Sequence, residues 1–314
     1  MNVKNQTLLT EFILEGFPGS PEMQISIFII LFMVYMATLL GNILIILIIC
    51  LDHRLHIPMY FFLVNLSFLE ISFISVIVPK LLINLVAEKK SISYAACMAQ
   101  SYFYFYLSTT DFLLLAVMSI DRYVAICRPL HYSTIMSSRV CVFMVLGCWV
   151  SSFFFLLPST ILICQLPFCA SNFIKHFFCD TSSVLILACA DTQLIKLIAL
   201  IVASFVLLGP LVLTILSYVY IISTILRIPS TQGQQKAFST CASHLTMVSL
   251  VFGCAIFIEV RPMQFSWLYA NKVVSVLSSF ITPLLNPFIY TLRNEKVKEV
   301  FRDILNRLKL FHKV

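Results

Sequence analysis

Charged side chains are scarce in this 314-residue chain, so the few that interrupt its long apolar runs mark where chemistry can occur. Glu70 and Asp111 each lie inside such a run, and an ionisable group in hydrocarbon is costly unless it is paired, protonated or used. Together they suit a shared proton or a sodium ion; the plainer alternative is two protonated, hydrogen-bonded carboxyls. Asp121-Arg122-Tyr123 closes another apolar run, where a cation near hydrocarbon must have a partner. Asn286-Pro287 lies inside a third, and a proline there frees carbonyls that need other donors, giving either a hinge with Tyr290 below it or a static kink. Ser101, Tyr104, Phe105 and Ser108 recur at spacings of three and four, as do Phe252, Ala255, Ile256 and Glu259, so each set shares one helix face. Glu259 could accept a hydrogen bond from a basic ligand; pairing with Arg261 or Lys272 is the plainer reading, and the preferred one. His176, Cys179 and Asp180 have the spacing of a metal site.

The elements that hold these residues follow from composition. The chain is 60% hydrophobic and 11% charged, with mean hydropathy +0.98. An apolar span needs about 20 residues to cross a bilayer. Seven such stretches are present: Gln24 to Ile49, Ile57 to Val78, Met98 to Ile120, Val140 to Ile163, Leu194 to Leu226, Phe238 to Val260 and Val273 to Leu292. Backbone polar groups cannot stay unpaired in lipid, so continuous runs mean helices; a β-barrel would instead show short alternating segments. The expected fold is an all-α membrane protein, a seven-transmembrane helix bundle with a short amphipathic C-terminal interfacial helix. Residues 1–23 form an extracellular N-terminus, 24–292 the membrane domain, and 293–314 a cytoplasmic helix and tail.

Orientation comes from the basic residues, most of which fall on the side holding Arg54, Arg128, Arg227 and Arg293; that side is read as cytosolic. The sequon Asn5-Gln6-Thr7 independently asks for a lumenal N-terminus and marks Asn5 for glycosylation, while the first span, lacking a cleavage signal, is read as a retained anchor in the plasma membrane. The net charge of +7 is spread over loops and the last twenty residues, which fits anionic lipid rather than nucleic acid. Val297, Val300, Phe301, Ile304, Leu305 and Leu308 form an apolar stripe among basic residues, as in a helix lying in the interface. Four cysteines, Cys97, Cys169, Cys179 and Cys189, fall on the oxidising side, and three pairings are open. No His-Glu-x-x-His, Gly-x-Ser-x-Gly or Walker motif occurs, which argues against an enzyme. A transporter would show internal repeats, and none is visible.

Several blocks resemble one family over nearly the whole chain. They are Gly41-Asn42, Leu55-His56-Ile57-Pro58-Met59-Tyr60-Phe61-Phe62-Leu63, Met118 to Cys127 through Asp121-Arg122-Tyr123, Ser217-Tyr218, Lys236-Ala237-Phe238-Ser239-Thr240-Cys241 through Leu245, and Pro283-Leu284-Leu285-Asn286-Pro287-Phe288-Ile289-Tyr290. Together they resemble the olfactory receptors among the rhodopsin-like G-protein-coupled receptors; a non-olfactory receptor for a small ligand is the nearest rival. Two positions depart from the pattern: Ser119-Ile120 precedes Asp121, and Phe252-Gly253 removes a hydroxyl from the pocket floor.

The resemblance implies a receptor for a small volatile odorant that activates a heterotrimeric stimulatory, olfactory-type G protein and raises cyclic AMP. It implies ligand contacts at Tyr104, Phe105, Ser108, Thr109, Val202, Ala203, Val206, Phe252, Ala255, Ile256, Glu259, Val276 and Ser279. It places Asn42, Ser67 and Asn286 near Glu70 and Asp111, with no cofactor beyond the sodium ion or shared proton at that pair. Arg122 would be held by Asp121 at rest and released toward Tyr218, with His244 facing it and Asn286, Pro287 and Tyr290 as the hinge. Finally, it pairs Cys97 with Cys179 and Cys169 with Cys189, which would deny the metal site its thiolate.

Overall fold

The computed structural model describes residues 10–168, 171–260, 268–292 and 295–311. Seven helices in it are long and apolar enough to cross a membrane. The first three are α1 (Pro21–Leu51), α2 (Pro58–Val86) and α3 (Tyr94–Cys127). The short α4 (Tyr132–Ile135) follows a 3-10 turn at Pro129–His131 and leads into α5 (Ser138–Cys164). Beyond the small helix α6 (Thr181–Leu185) come α7 (Gln193–Ile225) and α8 (Thr231–Val260). The seventh crossing is composite: α9 (Leu268–Val276), a π turn at Leu277–Ile281, and α10 (Thr282–Leu292). A last helix, α11 (Glu295–Phe311), runs on from it.

The helices outrun the apolar stretches, and at α1, α3 and α6 a polar side chain caps the N-terminus. Ser20 accepts from the Met23 amide and Pro21 opens α1 at a position whose N–H needs no partner. Ser93 does the same for α3 through Ala96, and Asp180 for α6 through Ser183. Rows of large apolar side chains on α5 and α7, among them Phe143, Phe154, Phe205 and Leu213, stay exposed. That is the surface a bilayer covers, since lipid rather than protein is the apolar neighbour there.

One end of the bundle, the roof end, carries a feature absent from the all-α expectation. Three short strands, β1 (Glu11–Leu14), β2 (Ser91–Ser93) and β3 (Phe173–Ile174), form a sheet in the order β2-β1-β3. Glu11 pairs with Ser93 antiparallel to β2, and Leu14 with Ile174 parallel to β3. Phe12 and Leu14 alternate inward and are fully buried against Cys97, Cys179 and Leu185. Strands this short carry no periodic signal of their own. Lys89 binds Glu11 and Lys272 binds Glu15, so β1 and the residue after it are tied to the loop that follows α2 and to the middle of α9; the ammonium beside Glu11 holds that carboxyl below its ordinary value.

At the opposite, tail end, Val297 and Val300 of α11 join a core of Ile45, Leu55, Tyr60, Leu66, Leu114 and Met118. Arg54 grips Asp52 and Asp303 at 2.9 and 2.8 Å, so the amphipathic helix is pinned by both its apolar and its charged face.

Candidate functional site

A cavity of about 450 Å³ lies in the roof-end half of the bundle. Tyr104, Phe105, Ser108 and Thr109 of α3 line one side, and Val202, Ala203 and Val206 of α7 face them. α8 contributes Ala255 and Glu259. The Tyr104 ring packs on Phe178 and Phe73, with centroids 4.6 and 5.2 Å away. Its walls are mostly apolar with a few hydroxyls, the composition of a small-molecule site.

Four expected contacts stand apart from this wall. Phe252 is buried beneath it against Phe112, with ring centroids 5.2 Å apart. Ile256 faces a separate groove between α7 and α8 and is 37% exposed. On the seventh crossing Ser275, Ser278 and Thr282 line the cavity, while Val276 packs into the roof-end core and Ser279 is fully buried. The lining residues keep ordinary helical spacing, one position before those expected, and the offset is already present at Ser275, ahead of the π turn. Sequence reasoning also missed the α5 wall, Leu156, Ser159 and Thr160, and Lys196 of α7. Glu259 sits at the cavity edge; Lys272 is engaged by Glu15, and Arg261 lies outside the described residues.

The cavity floor contains Glu70 and Asp111, both buried. Asn286 donates to Glu70, and Asn42 donates to the carbonyls of Thr38 and Pro283 at 3.0 and 3.3 Å. Among the described residues Asn42 Oδ1, Asp111 Oδ1 and Asn286 Oδ1 find no donor. The cluster is therefore rich in acceptors and short of donors, a composition that suits a shared proton or a small hard cation held by oxygen. Asn42 can reach α10 because Gly41 stands beside Pro287: a Cβ on Gly41 would meet the proline ring at 3.0 Å.

Toward the tail end the expected partners are rearranged. Asp121 accepts from the Tyr132 hydroxyl at 2.8 Å, and no Asp121–Arg122 ion pair occurs among the described residues. The α3 C-terminus, Pro129–His131 and α4 bring the tyrosine back beneath the aspartate, where a phenol competes with the adjacent, half-buried Arg122. Burial, then the neighbouring Asp121 charge, pushes the Tyr132 hydroxyl above its ordinary value, so it remains a donor. Tyr218 bonds His244 Nδ1 at 2.8 Å, joining α7 to α8, and the Arg122 charge acts on the same histidine. The Tyr123 ring lies against Tyr220. Side-chain placement of Tyr290 lies outside the described residues, as do Asn5 and Cys169.

Cys97 is joined to Cys179, which removes the thiolate from the His176, Cys179, Asp180 triplet, and Asp180 is occupied by Ser182 and Ser183. Cys189 is disulfide-bonded as well.

A sequence model described as "Olfactory receptor" matches residues 31–308. Human olfactory receptor 2AP1 is 48% identical over 306 residues, spanning 98% of this chain and 99% of that receptor. Human olfactory receptor 6J1 is 54% identical over 301 residues, spanning 96% and 87%. Among solved structures, squid rhodopsin superimposes with a TM-score of 0.68 over 92% of this chain and 82% of its own, at 18% sequence identity, a likeness of fold alone.

Proposed function

This chain belongs to the olfactory receptor family of G-protein-coupled receptors and is a multi-pass membrane protein, and from that premise we propose that it detects a small volatile organic molecule in the roof-end cavity. The roof end then faces the outside, where an oxidising medium keeps Cys97–Cys179 closed, and α11 lies against the cytosolic leaflet with its basic residues among anionic headgroups. Binding favours a state whose cytosolic ends are parted, and a heterotrimeric stimulatory G protein docks there and exchanges nucleotide, raising cyclic AMP. No bond in the ligand is made or broken.

The observation that carries this reading is the continuity of the cavity with its polar floor. Glu70 and Asp111 line the void, and Glu70 is bonded to Asn286, one residue before Pro287. A ligand that alters the protonation or ion occupancy of that pair therefore acts on the place where α10 is free to rearrange. Glu259 is a rim charge in this scheme and does not select amines.

The test is a cyclic-AMP reporter screen over alcohols, aldehydes, ketones, acids and amines with surface-expressed receptor. Ala203→Trp, which fills the cavity, abolishes the response to every agonist found while surface level is kept. Glu259→Gln leaves the preference between amines and alcohols unchanged. A receptor present at the surface but silent to every class sinks the odorant reading, and an agonist that survives Ala203→Trp sinks this cavity.

A further inference from the structure

The cavity is roofed over where a molecule arriving from water would meet it. The strands β1, β2 and β3, with α6 and the Cys97–Cys179 bond, lie over it. Of the lining residues that this roof supplies, Phe178, Asp180 and Leu185 are buried, at 2, 7 and 4% exposure, Thr181 and Ser182 are half-buried, and none is exposed. Between α5 and α7 the lining is different. Leu200 lines the cavity and is nevertheless 50% exposed. Facing it, Tyr102, Leu156, Ser159 and Thr160 line the cavity and are only half-buried. A side chain that borders both an internal void and the outer surface marks a place where the two meet. Leu200 is two turns into α7, roughly 10 Å below its start at 1.5 Å per residue, so this opening faces hydrocarbon and not the loops.

Resting on the cavity being the odorant site, we propose that ligands reach it sideways, from the outer leaflet, through a portal between α5 and α7 bounded by Tyr102, Leu156, Ser159, Thr160, Ala199 and Leu200. The chemistry of the walls suits that passage. Ser159 and Thr160 both donate to the Leu156 carbonyl, at 2.9 and 3.0 Å, and the Tyr102 hydroxyl donates to Phe153 at 3.1 Å. An apolar molecule therefore slides past without stripping a hydrogen bond from the protein. Pro158 lacks the N–H that would tie this turn of α5 to the one before it, so the wall can yield. The exposed Lys196 lies one turn nearer the roof, where a lysine reaches the headgroups while its stem covers apolar surface. The occupant is an uncharged, largely apolar small molecule, which the bilayer concentrates by about fourfold per added methylene.

The competing route passes Glu259, an exposed lining residue at the roof end of α8. Full-length Ala203→Cys receptor in lipid nanodiscs separates the two. Octyl methanethiosulfonate, which dissolves in lipid, and trimethylammonium-ethyl methanethiosulfonate, which stays in water, are added in turn, and modification of residue 203 is followed by peptide mass. The octyl reagent modifies it, the charged one does so far more slowly, and Leu200→Trp slows only the octyl reaction, by about tenfold, as a raised access barrier must. Ser159→Phe, on the opposite wall, does the same should the first substitution disturb the bundle, and Glu259→Trp leaves the octyl rate unchanged. Equal rates for the two reagents, an octyl rate indifferent to both portal substitutions, or slowing by Glu259→Trp overturns the portal. Failure of the underlying site reading shows separately: octyl-modified receptor would then still answer its agonists, whichever way the reagent came in.

Discussion

Asp121 is a buried carboxylate whose hydrogen-bond donor is a phenol, supplied by a residue eleven positions later in the chain. Hydrogen bonds to a charged group contribute about 1.5–3 kcal/mol, more than neutral ones. Tyr132→Phe removes the donor and keeps the ring, so the purified receptor should lose stability of about that size. A lower thermal midpoint than the parent is the expected result; an unchanged midpoint would show that Asp121 finds Arg122 at no cost. The same substitution reports on signalling, because an Asp121 freed from Tyr132 turns to Arg122 and holds it, so basal cyclic AMP should fall. At His244 the argument runs the other way. Its Nδ1 meets Tyr218 in full burial, a bond between α7 and α8 that must break if their tail-side ends part. His244→Phe and Tyr218→Phe should each raise basal signalling, and the double variant should equal either single one, since both remove one bond. Additive increases would mean that the two residues act separately.

Helices α1 and α10 meet through a missing side chain. At Gly41 a Cβ would sit 3.0 Å from the Pro287 ring, and the same approach lets Asn42 reach the Pro283 carbonyl. Gly41→Val overpacks this contact, for which about 1–3 kcal/mol is typical, and pushes Asn42 away from the polar floor. Reduced agonist efficacy with retained surface level is expected; wild-type dose–response curves would place the contact outside the switch. The seven crossings were legible because each apolar run is long enough for a bilayer, and the α3 wall because its residues recur at helical spacing; the α7 wall came only from the family resemblance. The lining face of the seventh crossing was not legible: the resemblance pointed to Val276 and Ser279, one position past Ser275 and Ser278, and nothing in Leu277-Ser278-Ser279-Phe280-Ile281 marks the π turn. The roof sheet was hidden for a related reason: strands of two to four residues fall below any periodic pattern. Asp121 beside Arg122 read as an ion pair because adjacency in sequence was visible and the return of Tyr132 through α4 was not.

Taken as one body, the molecule is clamped at its roof and jointed at its tail. At the roof a disulfide spans 82 residues of sequence, β1 joins the loops on either side of it, and Lys272 holds Glu15 to α9. At the tail, beside the Arg54 pins on α11, single hydrogen bonds, Asp121–Tyr132 and Tyr218–His244, join the elements that part in the proposed switch. Such a division lets a ligand bound beneath a fixed roof send its effect in one direction only. Phe12 is the keystone, fully buried with Tyr94 and Phe168 around it at centroid distances of 6.0 and 5.8 Å. Phe12→Ala removes that ring, a change that costs about 3–5 kcal/mol in a packed core, and the loss falls on β1 and its partners. The roof-end loops should then become sensitive to added protease, and a charged thiol reagent should reach Ala203→Cys from water, while the Tyr218–His244 bond and the basal cyclic AMP it restrains stay as in the parent. Should Phe12→Ala raise basal signalling instead, the roof and the tail are coupled and the roof is part of the switch; should the charged reagent still be excluded, β1 is not what closes the cavity.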